Sequence, residues 1–100
     1  MESLKDKTVI VTGGGRGIGA AACRLLASEG ANIVITCRTI EEGLSIEKDI
    51  LSKNGSAKFI PHDVTKEESW QKVIEETLQN FPQIDAVVNN AGSYNYQSIL

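Results

Sequence analysis

The residues best placed to do chemistry in this chain are ones with almost no side chain. The stretch TGGGRGIG, Thr12 to Gly19, sets five glycines into eight positions directly behind the apolar, β-branched run KTVIV. Glycine inside regular structure costs roughly 0.5–1 kcal/mol relative to alanine, so a cluster of them marks a place that needs bare backbone. Bare backbone opening a helix presents unpaired N–H groups and the positive end of the helix dipole, a combination that receives an anion. Between a first strand and the helix that follows it, the anion expected is the pyrophosphate of a dinucleotide. Two registers fit: Gly15, Gly17 and Ala20 satisfy G-x-G-x-x-A, whereas Gly13, Gly17 and Gly19 satisfy G-x-x-x-G-x-G. The second is favoured because Gly13 directly follows the strand, where a tight turn begins. A Walker loop is excluded, since the Lys-Ser/Thr pair is missing.

The other groups with chemical potential fall at intervals behind this loop. A ribose with a free 2′-hydroxyl is usually held by an acidic residue about 20 positions beyond the glycine motif. Twenty-four positions beyond Gly13 stands Cys37, in the run ITCR, and no carboxylate is there. Arg38 follows at once and Arg16 lies within the glycine loop, so two guanidinium forks are available for a 2′-phosphate. NADP(H) is therefore the expected cofactor, with NAD(H) as the alternative; the plain reading of Arg38 is a solvated residue near a helix start. Cys37 reads as a neutral space-filler. Asp63 is expected at the C-terminal end of a strand, where its carboxylate can accept a hydrogen bond from an adenine amino group, with Val64 offering backbone groups to the same ring. The plain alternative is that Asp63 only starts the turn into the next helix. His62, the only histidine, reads as a solvated loop residue and has no visible partner for nucleophilic catalysis.

These residues need elements to position them. The apolar runs Val9–Val11, Ile33–Ile35, Phe59–Ile60 and Ala86–Val88 show no in-out alternation, as expected of strands covered on both faces of a parallel sheet. Between them, apolar residues recur at helical spacing: Ile18, Ala21, Ala22, Leu25 and Leu26; more weakly Ile40, Leu44, Glu47 and Leu51; then Trp70, Val73, Ile74, Thr77, Leu78 and Phe81, stopped by Pro82. Thr39 with Glu42 and Thr65 with Glu68 fit the S/T-x-x-E capping box, and Gly30 and Gly55 sit where a left-handed helix end favours glycine. Strand and helix alternate through three right-handed crossovers, which predicts an α/β, Rossmann-like parallel sheet of four strands with three crossover helices. Residues 1–100 read as one unit, with no linker or low-complexity tract.

Composition limits the partners. Ten Lys and Arg against 13 Asp and Glu give a net charge of −3, and no basic block could follow a nucleic-acid backbone. No apolar run approaches the ~18 residues of a membrane span, so a cytoplasmic chain bound to neither nucleic acid nor membrane is expected. Cys23 and Cys37 do not have a metal or redox spacing, and no metal site is expected.

TGGGRGIG resembles the TGxxxGIG signature of the short-chain dehydrogenase/reductase family. Three later features fall in that family's order: Asp63-Val64 after the third strand, Asp85 opening the fourth, and Asn89-Asn90-Ala91-Gly92 after it. The extended, epimerase-like branch carries TGxxGxxG and needs a glycine where Arg16 stands, so the shorter branch fits better. The resemblance implies a strand order of 3-2-1-4, with residues 1–100 as the N-terminal part of a single NAD(P)-binding Rossmann domain. It implies cofactor contacts from Gly13, Gly15, Gly17, Ile18, Gly19, Asp63 and Val64, beside Arg16 and Arg38 as read above from their positions, and a ribose lined by Asn90, Ala91 and Gly92. It also implies that Asn89 is structural, its amide tying the fourth strand to the first through Thr12; a plain turn is the alternative.

The resemblance further implies an oxidoreductase that interconverts an alcohol and a carbonyl by hydride transfer, working on a small-molecule substrate and homo-oligomeric when complete. The run HDVTKEESW is similar to members acting on small cyclic or secondary alcohols and steroids. The family's Tyr-x-x-x-Lys is missing from this sequence: four positions after Tyr94 and Tyr96 stand Ser98 and Leu100. No catalytic residue is therefore assigned, and the 100 residues are expected to be inactive alone, covering the family's cofactor-binding half and ending before the second half. The other reading is a non-catalytic dinucleotide-binding or docking module.

Overall fold

The structure is a computed structural model that describes residues 3–61 and 67–90. Four strands and three helices alternate: β1 (Thr8–Thr12), α1 (Gly17–Ser28), β2 (Asn32–Cys37), α2 (Ile40–Ser52), β3 (Ser56–Pro61), α3 (Glu67–Asn80) and β4 (Ala86–Asn89). The strands form one parallel sheet in the order β3-β2-β1-β4. β1 is buried along its whole length, which is why its sequence shows no polar alternation.

Successive side chains of a strand point to opposite faces, and the core divides accordingly. Val9, Val11, Ile33, Ile35 and Phe59 pack under α1 and α2 with Ala20, Cys23, Ile46 and Ile50. Ile10, Val34 and Ile60 turn to the other face and meet Val73 of α3, flanked by Trp70, Ile74 and Phe81. Ile10, Ile33, Ile35 and Ile60 are fully buried, each worth roughly 1.5–3 kcal/mol.

Two helices differ from the pattern expected of them. In α1 the buried residues are Gly19, Ala20 and Cys23, while Ile18 and Leu25 are 80% and 63% exposed. Small residues at the contact bring the helix down close to the sheet, and the larger apolar ones are rotated outward. In α2 the buried residues are Gly43, Ile46 and Ile50, whereas Ile40, Leu44 and Leu51 are exposed. Here Phe59 of β3 fixes the phase, because a Cβ at Gly43 would run into its ring. α3 follows expectation more closely, burying Val73 and Thr77 and leaving only Leu78 of its stripe exposed.

The helix ends also depart in part. After α1, Gly30 takes φ 96°, with Gly30 N–H donating to Ala27 O and Ala31 N–H to Leu26 O, a Schellman ending. After α2 the same bonds run from Asn54 to Leu51 and from Gly55 to Ile50, but the left-handed residue is Asn54, φ 66°, not Gly55. Asparagine tolerates that conformation, so the turn closes one residue earlier than the glycine indicates. Thr39 is the N-cap of α2 yet makes no side-chain cap hydrogen bond; the expected capping box with Glu42 is not formed. The Thr65 box lies outside the described residues.

Candidate functional site

β1, β2 and β4 end side by side, with Thr12 in register with Thr36 on one flank and Asn89 on the other. The chain steps from β1 to β2 to β3 in one direction and returns to place β4 on β1's far side, so the sheet has its switch point between β1 and β4. Ligands of open α/β sheets bind beyond the strand C-termini at such a point, and the glycine loop leaves β1 there.

Two glycines take conformations that other residues resist. Gly13 has φ 66° and Gly17, the first residue of α1, has φ 61°. The turn at Gly13 is anchored to the neighbouring strand: Gly13 N–H donates to Thr36 O at 2.7 Å and Gly14 N–H to the same oxygen at 3.2 Å. The first helical bond is Ala20 N–H to Arg16 O, 3.2 Å, so the amides of Gly17, Ile18 and Gly19 precede it and have no intrahelical partner. Gly19 is the point of close approach, since a Cβ there would meet Gly13 O and lie 2.7 Å from Asn90 Nδ2. In front of Gly17 the space is open, with nothing within 4 Å of an added Cβ.

Thr12 ties this loop to β4. Its hydroxyl donates to Asn89 Oδ1 at 3.0 Å and accepts from Asn90 N–H at 2.9 Å. Asn90 Nδ2 reaches Gly13 O at 3.5 Å. At the base of β4, Asp85 accepts from Thr8 N–H at 2.8 Å and from Gln83 Nε2 at 3.1 Å. The Thr8 bond first and the Gln83 bond second hold its carboxyl below the usual range. The asparagines are thus held by β1 at the strand ends, and Asp85 pins the opposite end of the same pairing.

Arg16 is the N-cap of α1, its side chain 84% exposed and its Nη1 3.8 Å from Glu42 Oε2. Arg38 directly follows β2, exposed and without an ion pair among the described residues. The ends of β1 and β2 therefore bring Gly13, Gly15, Arg16, Gly17, Ile18, Gly19 and Arg38 to one sheet edge, and Asn90 joins them from β4. Asp63, Val64, Ala91 and Gly92 lie outside the described residues, as do His62, Tyr94 and Tyr96. Glu42 is a residue that sequence reasoning did not place at this edge. It lines an open groove of about 420 Å³ with Gly15, Arg16 and Gly17, and the signal that could have found it is helical geometry rather than distance along the chain.

Neither cysteine is poised for reaction. Burial pushes the Cys23 thiol up to about 12, and burial also raises Cys37, against hydrogen bonding at Thr39. Both are free thiols.

Comparison with known proteins defines the class. Residues 7–100 match the short chain dehydrogenase family. The chain is 44% identical over 86 residues to L-fucose dehydrogenase of Rattus norvegicus, covering 86% of this chain and 30% of that protein. It is 39% identical over 92 residues to cyclopentanol dehydrogenase of Comamonas sp. (strain NCIMB 9872), covering 92% of this chain and 37% of that one. Among solved structures it superposes on a metagenomic short-chain oxidoreductase in complex with NADP, with a TM-score of 0.85 and 36% identity over 90% of this chain and 41% of that chain. The chain belongs to the short-chain dehydrogenase family, as an oxidoreductase-family, Rossmann-like α/β chain. It spans well under half the length of these relatives.

The residues present fit a nicotinamide dinucleotide. Amides with no intrahelical partner open α1, a cradle at Gly19 has no room for a Cβ, and open space lies in front of Gly17.

Proposed function

We propose that this chain is the NADP(H)-binding portion of an oxidoreductase that interconverts a small-molecule alcohol and its carbonyl compound. One observation carries the reading: the amides of Gly17, Ile18 and Gly19 open a helix at the switch point of the sheet, beside two arginines and with Cys37 where an acidic residue would select an unphosphorylated ribose. The NADP-bound relative supports it.

In this reading Gly13 and Gly15 shape the turn, Gly17 to Gly19 direct their N–H groups at the pyrophosphate, and the exposed Ile18 borders it. Arg16 and Arg38 hold the 2′-phosphate through charge-assisted hydrogen bonds. Asp63 and Val64 take the adenine, and Asn90, Ala91 and Gly92 line a ribose. The bound nicotinamide supplies or accepts the hydride. Proton transfer is assigned to no residue of these 100, because neither tyrosine is followed by the lysine of Tyr-x-x-x-Lys. Turnover, substrate choice and homo-oligomerisation belong to the whole protein, and the 100 residues alone are proposed to bind cofactor without turning over alcohol or ketone.

Nicotinamide fluorescence titrations with NADPH and NADH test the cofactor assignment. Hydrogen bonds to charged groups are worth roughly 1.5–3 kcal/mol, so Arg38→Ala is expected to weaken NADPH binding about 10- to 150-fold and leave NADH nearly unchanged. Equal losses for the two cofactors overturn it.

A further inference from the structure

Glu42 stands in this site although the count along the chain does not reach it. The residue at the end of β2, where an acid for a free ribose hydroxyl is expected, is Cys37. Five residues later, α2 turns back over the same spot. A Cβ built at Gly15 would lie 2.9 Å from Cys37 Sγ and 2.9 Å from Glu42 Cβ, with Glu42 Oε1 at 3.4 Å. The Glu42 side chain therefore packs against the glycine loop beside Cys37, and its other oxygen reaches Arg16 at 3.8 Å. Its charge is felt at Cys37, where it helps to raise the thiol. It takes no part in capping α2 through Thr39, whose side chain makes no cap bond.

We propose that Glu42 is a specificity-determining residue of the cofactor site: it holds Arg16 from the first turn of α2 and places a negative charge beside the arginines that would receive a 2′-phosphate. The inference rests on the NADP(H) reading above and deepens it. A phosphate brings a charge of about −1.5 to −2, so it must both displace Glu42 from Arg16 and tolerate the carboxylate nearby. A ribose with a free 2′-hydroxyl meets neither obstacle and gains an acceptor. Glu42 therefore narrows the preference set by Arg16 and Arg38 and keeps the unphosphorylated cofactor competitive.

The test is the ratio of NADPH to NADH dissociation constants, measured by nicotinamide fluorescence on the full chain. Adenosine 2′,5′-bisphosphate and 5′-AMP serve as shorter probes, followed by calorimetry. Glu42→Gln keeps the shape and removes the charge. An exposed ion pair is a weak restraint, so the expected result is NADPH and the bisphosphate binding about 3- to 10-fold tighter, with NADH and 5′-AMP unchanged or weaker. Glu41→Gln, which lines the same groove but makes no ion pair among the described residues, is expected to shift the ratio less than Glu42→Gln does, by under about 2-fold. In an Arg16→Ala background the Glu42→Gln gain is expected to shrink, since the pair is already broken. An unchanged ratio in Glu42→Gln, an equal shift in Glu41→Gln, or a full gain without Arg16 overturns the inference. These failures are separable from failure of the NADP(H) reading, which shows instead as Arg38→Ala acting equally on both cofactors.

Discussion

Gly19→Ala sets two effects of opposite sign against each other. In a helix, alanine in place of glycine is favourable by up to about 1 kcal/mol. At this position, however, the added Cβ meets Gly13 O and approaches Asn90 Nδ2 to 2.7 Å. The obstacle is backbone, not the end of a flexible side chain. Gly13 cannot yield easily because its N–H is bonded to Thr36 O at 2.7 Å and its φ of 66° is set by the turn. Overpacking costs about 1–3 kcal/mol, and a fixed backbone obstacle puts this case toward the upper end, so the collision wins and a net loss of up to about 2 kcal/mol is expected. The relief available is to push the start of α1 away from the loop, which misdirects the Gly17–Gly19 amides; losing one charge-assisted hydrogen bond corresponds to about 10- to 150-fold in affinity. Urea unfolding followed by circular dichroism, with an NADPH fluorescence titration on the same sample, reads both numbers. An unchanged or raised urea midpoint together with unchanged NADPH binding would refute the reasoning.

Gly43→Ala is expected to destabilise for a related reason, since its Cβ would enter the Phe59 ring. A net cost of about 1 kcal/mol lowers the thermal midpoint by roughly 4–8 °C, and a rise on thermal melting would contradict the packing described. Thr12→Val removes the hydroxyl that serves Asn89 and Asn90 and should cost about 1–3 kcal/mol in urea unfolding while weakening cofactor binding; a loss of stability alone would separate the strand tie from the site. Cys23 has its folded thiol raised from 9.0 to about 12, so the unfolded chain gives up its proton first. Its stabilising share is complete below pH 9.0 and declines above it toward about 12, at no more than about 1.4 kcal/mol per pH unit. Urea midpoints from pH 8 upward should fall in the wild type and flatten in Cys23→Ala, and identical slopes would sink the assignment.

Strand placement was legible because buried parallel strands carry an unbroken β-branched signal, as in Val9–Val11 and Ile33–Ile35. Helix phase was not, because the residues that meet the sheet in α1 are Gly19, Ala20 and Cys23, which a search for large apolar side chains passes over in favour of Ile18 and Leu25. The same rule misread α2, where Gly43 yields its space to Phe59, a residue of the next strand. Thr39 and Glu42 have capping-box spacing, yet spacing says nothing of a third partner, and Arg16 from another element engages the glutamate. The glycine loop was the most readable part of the site, since Gly13 and Gly17 adopt left-handed conformations that few other residues accept. Glu42 was unreadable because its nearness to Gly15 depends on how α2 folds back over β2.

The central claim is that the amides opening α1 receive the dinucleotide. Backbone amide chemical shifts of the ¹⁵N-labelled chain, followed as NADPH is added, test it residue by residue. The account predicts the largest shifts at Gly17, Ile18 and Gly19, with smaller ones at Arg16, Arg38 and Asn90 and little change in the notch between the far ends of α1 and α2 at Ala27, Ile50 and Gly55. Shifts concentrated in that notch, or silent amides from Gly17 to Gly19 at saturating NADPH, would contradict it.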